Sequence, residues 1–137
     1  MAENDIPDSI KGFLFRHIDS VEQLEILLFL SNDTSKKWTA ETLSRELRSN
    51  LNSIRQRLSS LETQGLVEAS ADSPAQYSLV EMSEETRNLI HELREIYRLK
   101  RHRVLELLFS SARKAKDFAD AFRLTGPAKG KKGDDNG

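Results

Sequence analysis

The sequence predicts a mainly α-helical fold that carries one small β-hairpin. Three observations support this fold class. Apolar residues recur at helical spacing over most of the chain, two short β-prone runs flank a proline-bearing turn, and 137 residues suffice for one domain with an appendage. With 37% hydrophobic residues, the chain can bury a core of modest size.

The N-terminal part of the chain predicts two helices. Apolar residues within the segment 1–19 indicate a short helix that packs onto the rest of the protein. Ser20 and Gln23 have the spacing of a capping box, which predicts that a second helix begins near Val21. The turn-rich stretch 32–37 ends that helix.

Two further helices are predicted close together. Thr39 is a suitable N-cap for a short helix over residues 40–47, and Asn50 is a suitable N-cap for a helix over residues 51–64. Gly65 follows at the position where a left-handed residue commonly ends a helix. The predicted inward residues of the longer helix are Leu51, Ile54, Leu58 and Leu61.

A β-hairpin is predicted next. Residues 66–69 and 77–80 are typical of short strands, and residues 71–76 between them have turn chemistry. The order helix, short helix, turn, helix, strand, turn, strand is that of a winged helix-turn-helix. We interpret residues 20–82 as this domain.

The apolar pattern of the domain consists of Leu43, Leu47, Ile54, Leu58, Leu61 and then Gly65-Leu66-Val67. Over residues 38–80 this pattern resembles bacterial regulators of the MarR and ArsR kinds. The flanking sequences are similar to small bacterial proteins that carry the same domain. The resemblance implies a transcriptional regulator that binds DNA and dimerises through terminal helices. One departure is that Arg48 and Ser49 stand where the family pattern usually has glycine and then an apolar residue.

The charge is unevenly divided along the chain. The net charge of −1 excludes a globally basic protein that coats nucleic acid. Residues 1–35 hold seven acidic and two basic residues, whereas residues 36–66 hold six basic and three acidic ones. The basic surplus therefore coincides with the helix-turn-helix, and we expect the acidic N-terminal part to lie away from DNA.

The predicted recognition helix carries side chains suited to base recognition. Helical geometry places Asn52, Gln56 and Ser59 opposite the apolar face. Asn and Gln can make paired hydrogen bonds to adenine, and Arg can make them to guanine. The predicted DNA contacts are Lys36, Lys37, Arg48, Ser49, Asn50, Asn52, Ser53, Arg55, Gln56 and Arg57.

Outward polar residues are also what any solvated helix shows, so a protein-binding winged helix remains the alternative function. The wing residues 71–76 contain no Lys or Arg, so they offer little grip on phosphate. The four basic residues within 98–103 are either a solvated face or additional phosphate contacts.

Residues 83–124 predict a long helical extension. Its apolar residues alternate in steps of three and four, which is typical of a coiled-coil seam and equally of a helix packed in a core. The seam residues, which we predict to mediate dimerisation, are Ile90, Leu93, Tyr97, Val104 and Leu107, with Lys100 as a charged position among them. An amphipathic helix is expected around residues 115–122, and a disordered tail over residues 125–137.

Catalysis and cofactors find little support in the sequence. The absence of cysteine excludes disulfides, thiolate metal sites and cysteine nucleophiles. His91 and His102 are about 16 Å apart along a helix, too far to share a metal ion. Residues 126–132 fail the spacing of a phosphate-binding loop. We expect a non-enzyme without metal or cofactor, and, from the acidic start and the lack of a long apolar run, a cytoplasmic protein with no membrane contact.

Overall fold

The computed structural model describes residues 6–110, which form six helices and one three-stranded antiparallel sheet. The elements in chain order are α1 (Asp8–His17), α2 (Val21–Asn32), β1 (Trp38–Thr39), α3 (Ala40–Leu47), α4 (Leu51–Thr63), β2 (Val67–Ala69), β3 (Gln76–Leu79), α5 (Glu84–Leu99) and α6 (Arg101–Leu108). The strand order in the sheet is β1-β3-β2. The helix predicted at residues 115–122, the predicted tail 125–137 and the stretch 126–132 lie outside the described residues.

Side-chain caps set the beginnings of the helices, as the sequence predicted. Ser20, Thr39 and Asn50 cap α2, α3 and α4, each accepting a hydrogen bond at 3.0–3.1 Å from the backbone N–H three residues later. The capping box at α2 differs in one bond. The Gln23 side chain accepts from the backbone N–H of Asp19 at 2.6 Å, one residue before the cap.

The central element of the core is α2. It is apolar on nearly every side and packs against α4, α5 and β3, while α1 packs against α5 and α6. Its buried apolar residues are Leu24, Ile26, Leu27, Leu28 and Leu30. A helix buried on several faces explains why its sequence has no clear polar stripe.

The sheet contains one strand that the sequence did not predict. Trp38 and Thr39 form β1, which pairs with β3 so that Trp38 lies opposite Tyr77. Two residues are too few to show the alternation of a strand. The wing turn that joins β2 to β3 is braced by Ser70, whose hydroxyl accepts a hydrogen bond from the backbone N–H of Gln76 at 3.0 Å.

The predicted long C-terminal helix is interrupted. Lys100 has φ −133° and ψ 47°, outside the helical region, so α5 ends at Leu99 and α6 begins at Arg101. The prediction of one continuous helix through Lys100 is therefore wrong for the described residues. Sequence spacing could not reveal the break, because apolar residues keep a helical period on both sides of it.

The apolar stripe of α5 and α6 faces the protein's own core. Ile90, Leu93 and Val104 are buried, and Tyr97 and Leu107 are half-buried against the same core. These five residues were predicted to form a dimer seam. The same spacing is found in coiled-coil seams and in helices packed in a core. The burial of these residues within one chain favours the core interpretation.

We predict that Leu93→Ala lowers the free energy of unfolding by about 3 kcal/mol, because Leu93 is fully buried and its removal leaves a cavity. The control on the same helix is Glu92→Ala, since Glu92 is exposed and its truncation should change stability by less than about 0.5 kcal/mol. Urea denaturation measures both. Equal effects of the two substitutions would contradict the core assignment.

Candidate nucleic-acid interface

The turn between α3 and α4 keeps the geometry of a helix-turn-helix without glycine. Arg48 adopts the left-handed conformation, with φ 55° and ψ 48°. The Ser49 N–H donates to the Ser44 carbonyl at 3.0 Å, and the Ser44 hydroxyl donates to the Ser49 carbonyl at 2.5 Å. These bonds close the end of α3 in the manner of a Schellman motif. Arg48 therefore occupies the position where the family pattern has glycine, at a steric cost of about 1 kcal/mol.

The outer face of α4 is a polar row on a firmly packed helix. Asn52, Gln56 and Ser59 are exposed, which confirms their predicted outward orientation, and Arg55 is exposed beside them. The opposite face is anchored by three buried residues, Ile54, Leu58 and Leu61. The helix can therefore present its amide side chains without losing its contact with the core.

Three of the predicted DNA contacts converge instead on one carboxylate, that of Glu22 on α2. The Ser53 hydroxyl donates to Glu22 Oε1, and Arg57 Nε donates to the same oxygen at 3.3 Å. Burial alone would raise the pKa of Glu22, but hydrogen bonds from Ser53, Ser49 and Arg57 outweigh burial and hold this pKa below the ordinary value of 4.5. The carboxylate is therefore ionised at neutral pH.

Sequence reasoning missed Glu22 because it precedes Ser53 by 31 residues. It also belongs to the acidic N-terminal part of the chain, which was expected to lie away from the DNA-binding face. That expectation stays a prediction, but Glu22 of this segment touches α4, the helix predicted to contact DNA. The available signal was two acidic residues, Glu22 and Glu25, in the first half of a largely apolar helix.

The remaining predicted cations have different surroundings. Arg55 pairs with Glu41 on α3 at 2.9 Å, and both side chains are about half exposed, so solvent weakens this ion pair. Lys36 and Lys37 are exposed in the loop before β1, where the Lys36 ammonium lies 5.7 Å from the centre of the Trp38 ring.

The basic stretch 98–103 is largely neutralised by nearby acids. Three of its arginines form ion pairs: Arg98 with Glu95 at 2.8 Å, Arg101 with Glu25 at 2.9 Å and Arg103 with Glu106 at 3.3 Å. The Arg101 guanidinium also lies 5.0 Å from the centre of the Tyr97 ring. This arrangement favours a solvated face over a set of additional phosphate contacts.

Two of the three histidines make ordinary hydrogen bonds. His17 Nδ1 bonds to the Gln64 side-chain oxygen at 2.9 Å, and His91 Nδ1 bonds to Arg94 at 2.8 Å. Within residues 6–110, no group of three or more His, Asp or Glu side chains is placed to hold a metal ion. No helix in the same part of the chain is both long and apolar enough to cross a membrane.

Comparison with known proteins identifies the fold. No protein-family model matches the sequence, and no curated protein matches it. Among solved structures, HlyU from Vibrio cholerae is 25% identical, with a TM-score of 0.51 over 66% of this chain and 95% of HlyU. The likeness to HlyU, together with the element order, shows a winged-helix fold and confirms the resemblance to winged-helix regulators at that level.

Two other solved structures are more distant. The adhesin competence repressor AdcR from Streptococcus pyogenes is 19% identical, with a TM-score of 0.47 over 82% of this chain and 81% of AdcR. A variant of ZitR from Lactococcus lactis is 18% identical, with a TM-score of 0.44 over 77% of this chain and 73% of ZitR.

We predict that Arg48→Gly raises the free energy of unfolding by about 1 kcal/mol, because glycine adopts the left-handed conformation without a clash at Cβ. The matched control, Arg48→Ala, removes the same charge but retains Cβ, so its stability should stay within about 0.5 kcal/mol of the original. Chemical denaturation distinguishes the two. Stabilisation by both substitutions would assign the gain to the lost charge and not to the backbone.

Proposed function

We propose that this protein is a transcriptional regulator that binds duplex DNA, with α4 as the recognition helix in the major groove. The observation that carries the proposal is the exposed row of Asn52, Gln56 and Ser59 on the second helix of a helix-turn-helix. Amide side chains on such a helix complement the donor and acceptor that adenine presents in the major groove.

The contacts divide into two kinds. Asn52 and Gln56 contact bases, whereas Lys36, Lys37 and Arg48 contact phosphates. Ser49 and Asn50 stand where α4 begins, so the partial positive charge of that helix end lies close to the same phosphate backbone. Arg55 can exchange Glu41 for a phosphate at little cost, because its ion pair is exposed to solvent.

The basic footprint of one copy is small, so we propose that the regulator acts as a homodimer. The wing adds no cation, and a twofold dimer doubles the contacts by presenting two α4 helices to half-sites about one DNA turn apart. Two large apolar side chains offer a surface for self-association. Leu99 and Phe109, at either end of α6, are 67% and 65% exposed.

A winged helix that binds a protein partner is the second candidate function. It is favoured by the ion pairs of both arginines of α4, Arg55 with Glu41 and Arg57 with Glu22. These pairs and the uncharged wing leave fewer cations for DNA than the sequence indicates. The alternative then places the partner on the same polar face of α4.

We predict that replacing both Lys36 and Lys37 with Gln weakens binding to every duplex. It should also reduce the slope of the logarithm of the binding constant against the logarithm of the salt concentration by about 1.8, because two phosphate contacts are lost. Gln56→Ala should instead weaken binding to the preferred sequence by about 1–3 kcal/mol and leave random duplex unaffected. Fluorescence anisotropy at about 50–200 mM salt, with duplexes selected from a random pool, measures both.

The control for this experiment is Lys11→Gln on α1, which removes one positive charge from an element that packs against α5 and α6. It should change neither the preference nor the slope. A folded protein that binds no duplex at the lowest salt would exclude the DNA-binding function and favour the protein-partner candidate.

We predict that Leu99→Asp combined with Phe109→Asp converts the dimer to monomers, because two charges would be buried in the proposed contact. Both side chains are exposed in one chain, so thermal stability of the monomer should be preserved. Light scattering after size-exclusion chromatography measures the mass. The control is Asn32→Asp with Asn88→Asp, which adds the same charge at two exposed positions elsewhere. A wild-type monomer, or an unchanged mass in the Leu99/Phe109 variant, would contradict the proposed surface.

A further inference from the structure

Glu22 lies at the contact between α2 and the proposed recognition helix. Its Oε1 accepts hydrogen bonds from the Ser53 hydroxyl and from Arg57 Nε, and the two donors stand one helical turn apart on α4. The Glu22 side chain is only 22% exposed and that of Arg57 is 35% exposed, so this ion pair is better shielded from solvent than the one between Arg55 and Glu41. A shielded charge pair holds its geometry more firmly than an exposed one.

The position of Glu22 is itself fixed by the corner between α1 and α2. Ser20 caps α2, and the neighbouring Gln23 is buried with both ends of its amide bonded. The Gln23 amide donates to the His17 carbonyl at 3.1 Å and accepts from the Asp19 N–H at 2.6 Å. These hydrogen bonds hold the first turn of α2 in place, and they thereby fix the backbone position of Glu22 relative to α1.

The same corner also holds the far end of α4. His17, the last residue of α1, bonds to Gln64 just after α4 ends. The corner thus contacts α4 near its beginning through Glu22 and at its end through His17. These two polar attachments lie at separate points along α4, so together with its buried apolar face they restrain the tilt of the helix.

We propose that Glu22 is a specificity-determining residue of the DNA interface, because it fixes the orientation of α4 and withholds Arg57 from the phosphate backbone. This inference rests on the proposed function. Phosphate contacts add affinity for any sequence, whereas base contacts require the recognition helix to lie at one angle in the groove. The Glu22 carboxylate restrains α4 and pairs with Arg57. It therefore favours sequence-specific binding over binding to any sequence.

The experiment compares full-length wild type with Glu22→Gln, which preserves the shape of the side chain and removes its charge. Affinity is measured for the preferred duplex and for a random duplex at several salt concentrations. Arg57, released from its carboxylate, should gain one phosphate contact and steepen the salt dependence by about 0.9. Between about 50 and 200 mM salt, binding of Glu22→Gln to random duplex should then weaken about 3.5 times more than that of wild type. The ratio of preferred to random affinity should fall.

Two further variants identify the cause. Arg57→Gln alone should leave the wild-type slope unchanged, and Glu22→Gln combined with Arg57→Gln should restore it. The control is Asp8→Asn, which makes the same charge change at an exposed position in the first turn of α1. It should leave both the slope and the preference as in wild type. Thermal unfolding verifies that each variant is folded.

Each contrary result has a distinct meaning. An unchanged slope in Glu22→Gln overturns the inference, and so does an unchanged ratio of preferred to random affinity. A lower slope in Arg57→Gln overturns it too, because it would mean that wild-type Arg57 already contacts phosphate. An equal effect in Asp8→Asn would assign the change to net charge and overturn it as well. A wild type that binds no duplex removes the proposed function and this inference together, whereas the other results leave DNA binding intact.

Discussion

The burial of α2 is the constraint on which the rest of the structure depends. This helix is apolar on nearly every side, so its side chains must be removed from water in several directions. The elements α4, α5 and β3 pack against it and bury them. The remaining elements extend or support these three. The proposed recognition helix, α4, is therefore not an appendage of the domain. Its inner face packs against α2, so only its outer face can vary with function without disturbing the core.

A buried helix with acidic residues must satisfy them, and α2 does so in two places. Glu22 receives its donors from α4, while Glu25 receives the Tyr97 hydroxyl at 2.7 Å and the Arg101 guanidinium at the junction of α5 and α6. Burial and the bond to Glu25 raise the pKa of Tyr97, so its hydroxyl remains a donor at all physiological pH values. The two carboxylates thus attach the central helix to the two parts of the molecule to which we assign DNA contact and self-association.

The sequence predicted those features whose cause is local. The bounds of α3 follow from Thr39 and from the turn after Leu47, and the start of α4 follows from Asn50, because a cap and its helix lie within a few residues. Features that depend on distant partners were not predictable. The strand β1 exists only because β3 lies beside it, and the break at Lys100 leaves the apolar spacing intact. The contact residues remain predictions. Helical spacing predicted that Asn52 and Gln56 face outward, but it could not reveal the pairing of Arg57 with Glu22, because that carboxylate comes from a distant part of the chain.

The local charge of the helix-turn-helix is a poor measure of the cations that it can offer to DNA. Residues 36–66 carry six basic residues, yet Arg55 is paired within that segment and Arg57 is paired with a carboxylate from the acidic N-terminal part. The fold thus brings together charges that the sequence separates, and it does so on the recognition helix itself. Two of the six cations are thus paired with carboxylates and the wing adds none, which reduces the affinity that phosphate contacts alone could supply. Under the proposed function, discrimination would come from the orientation of the Asn52 and Gln56 amides, and useful affinity from a second copy on the same DNA.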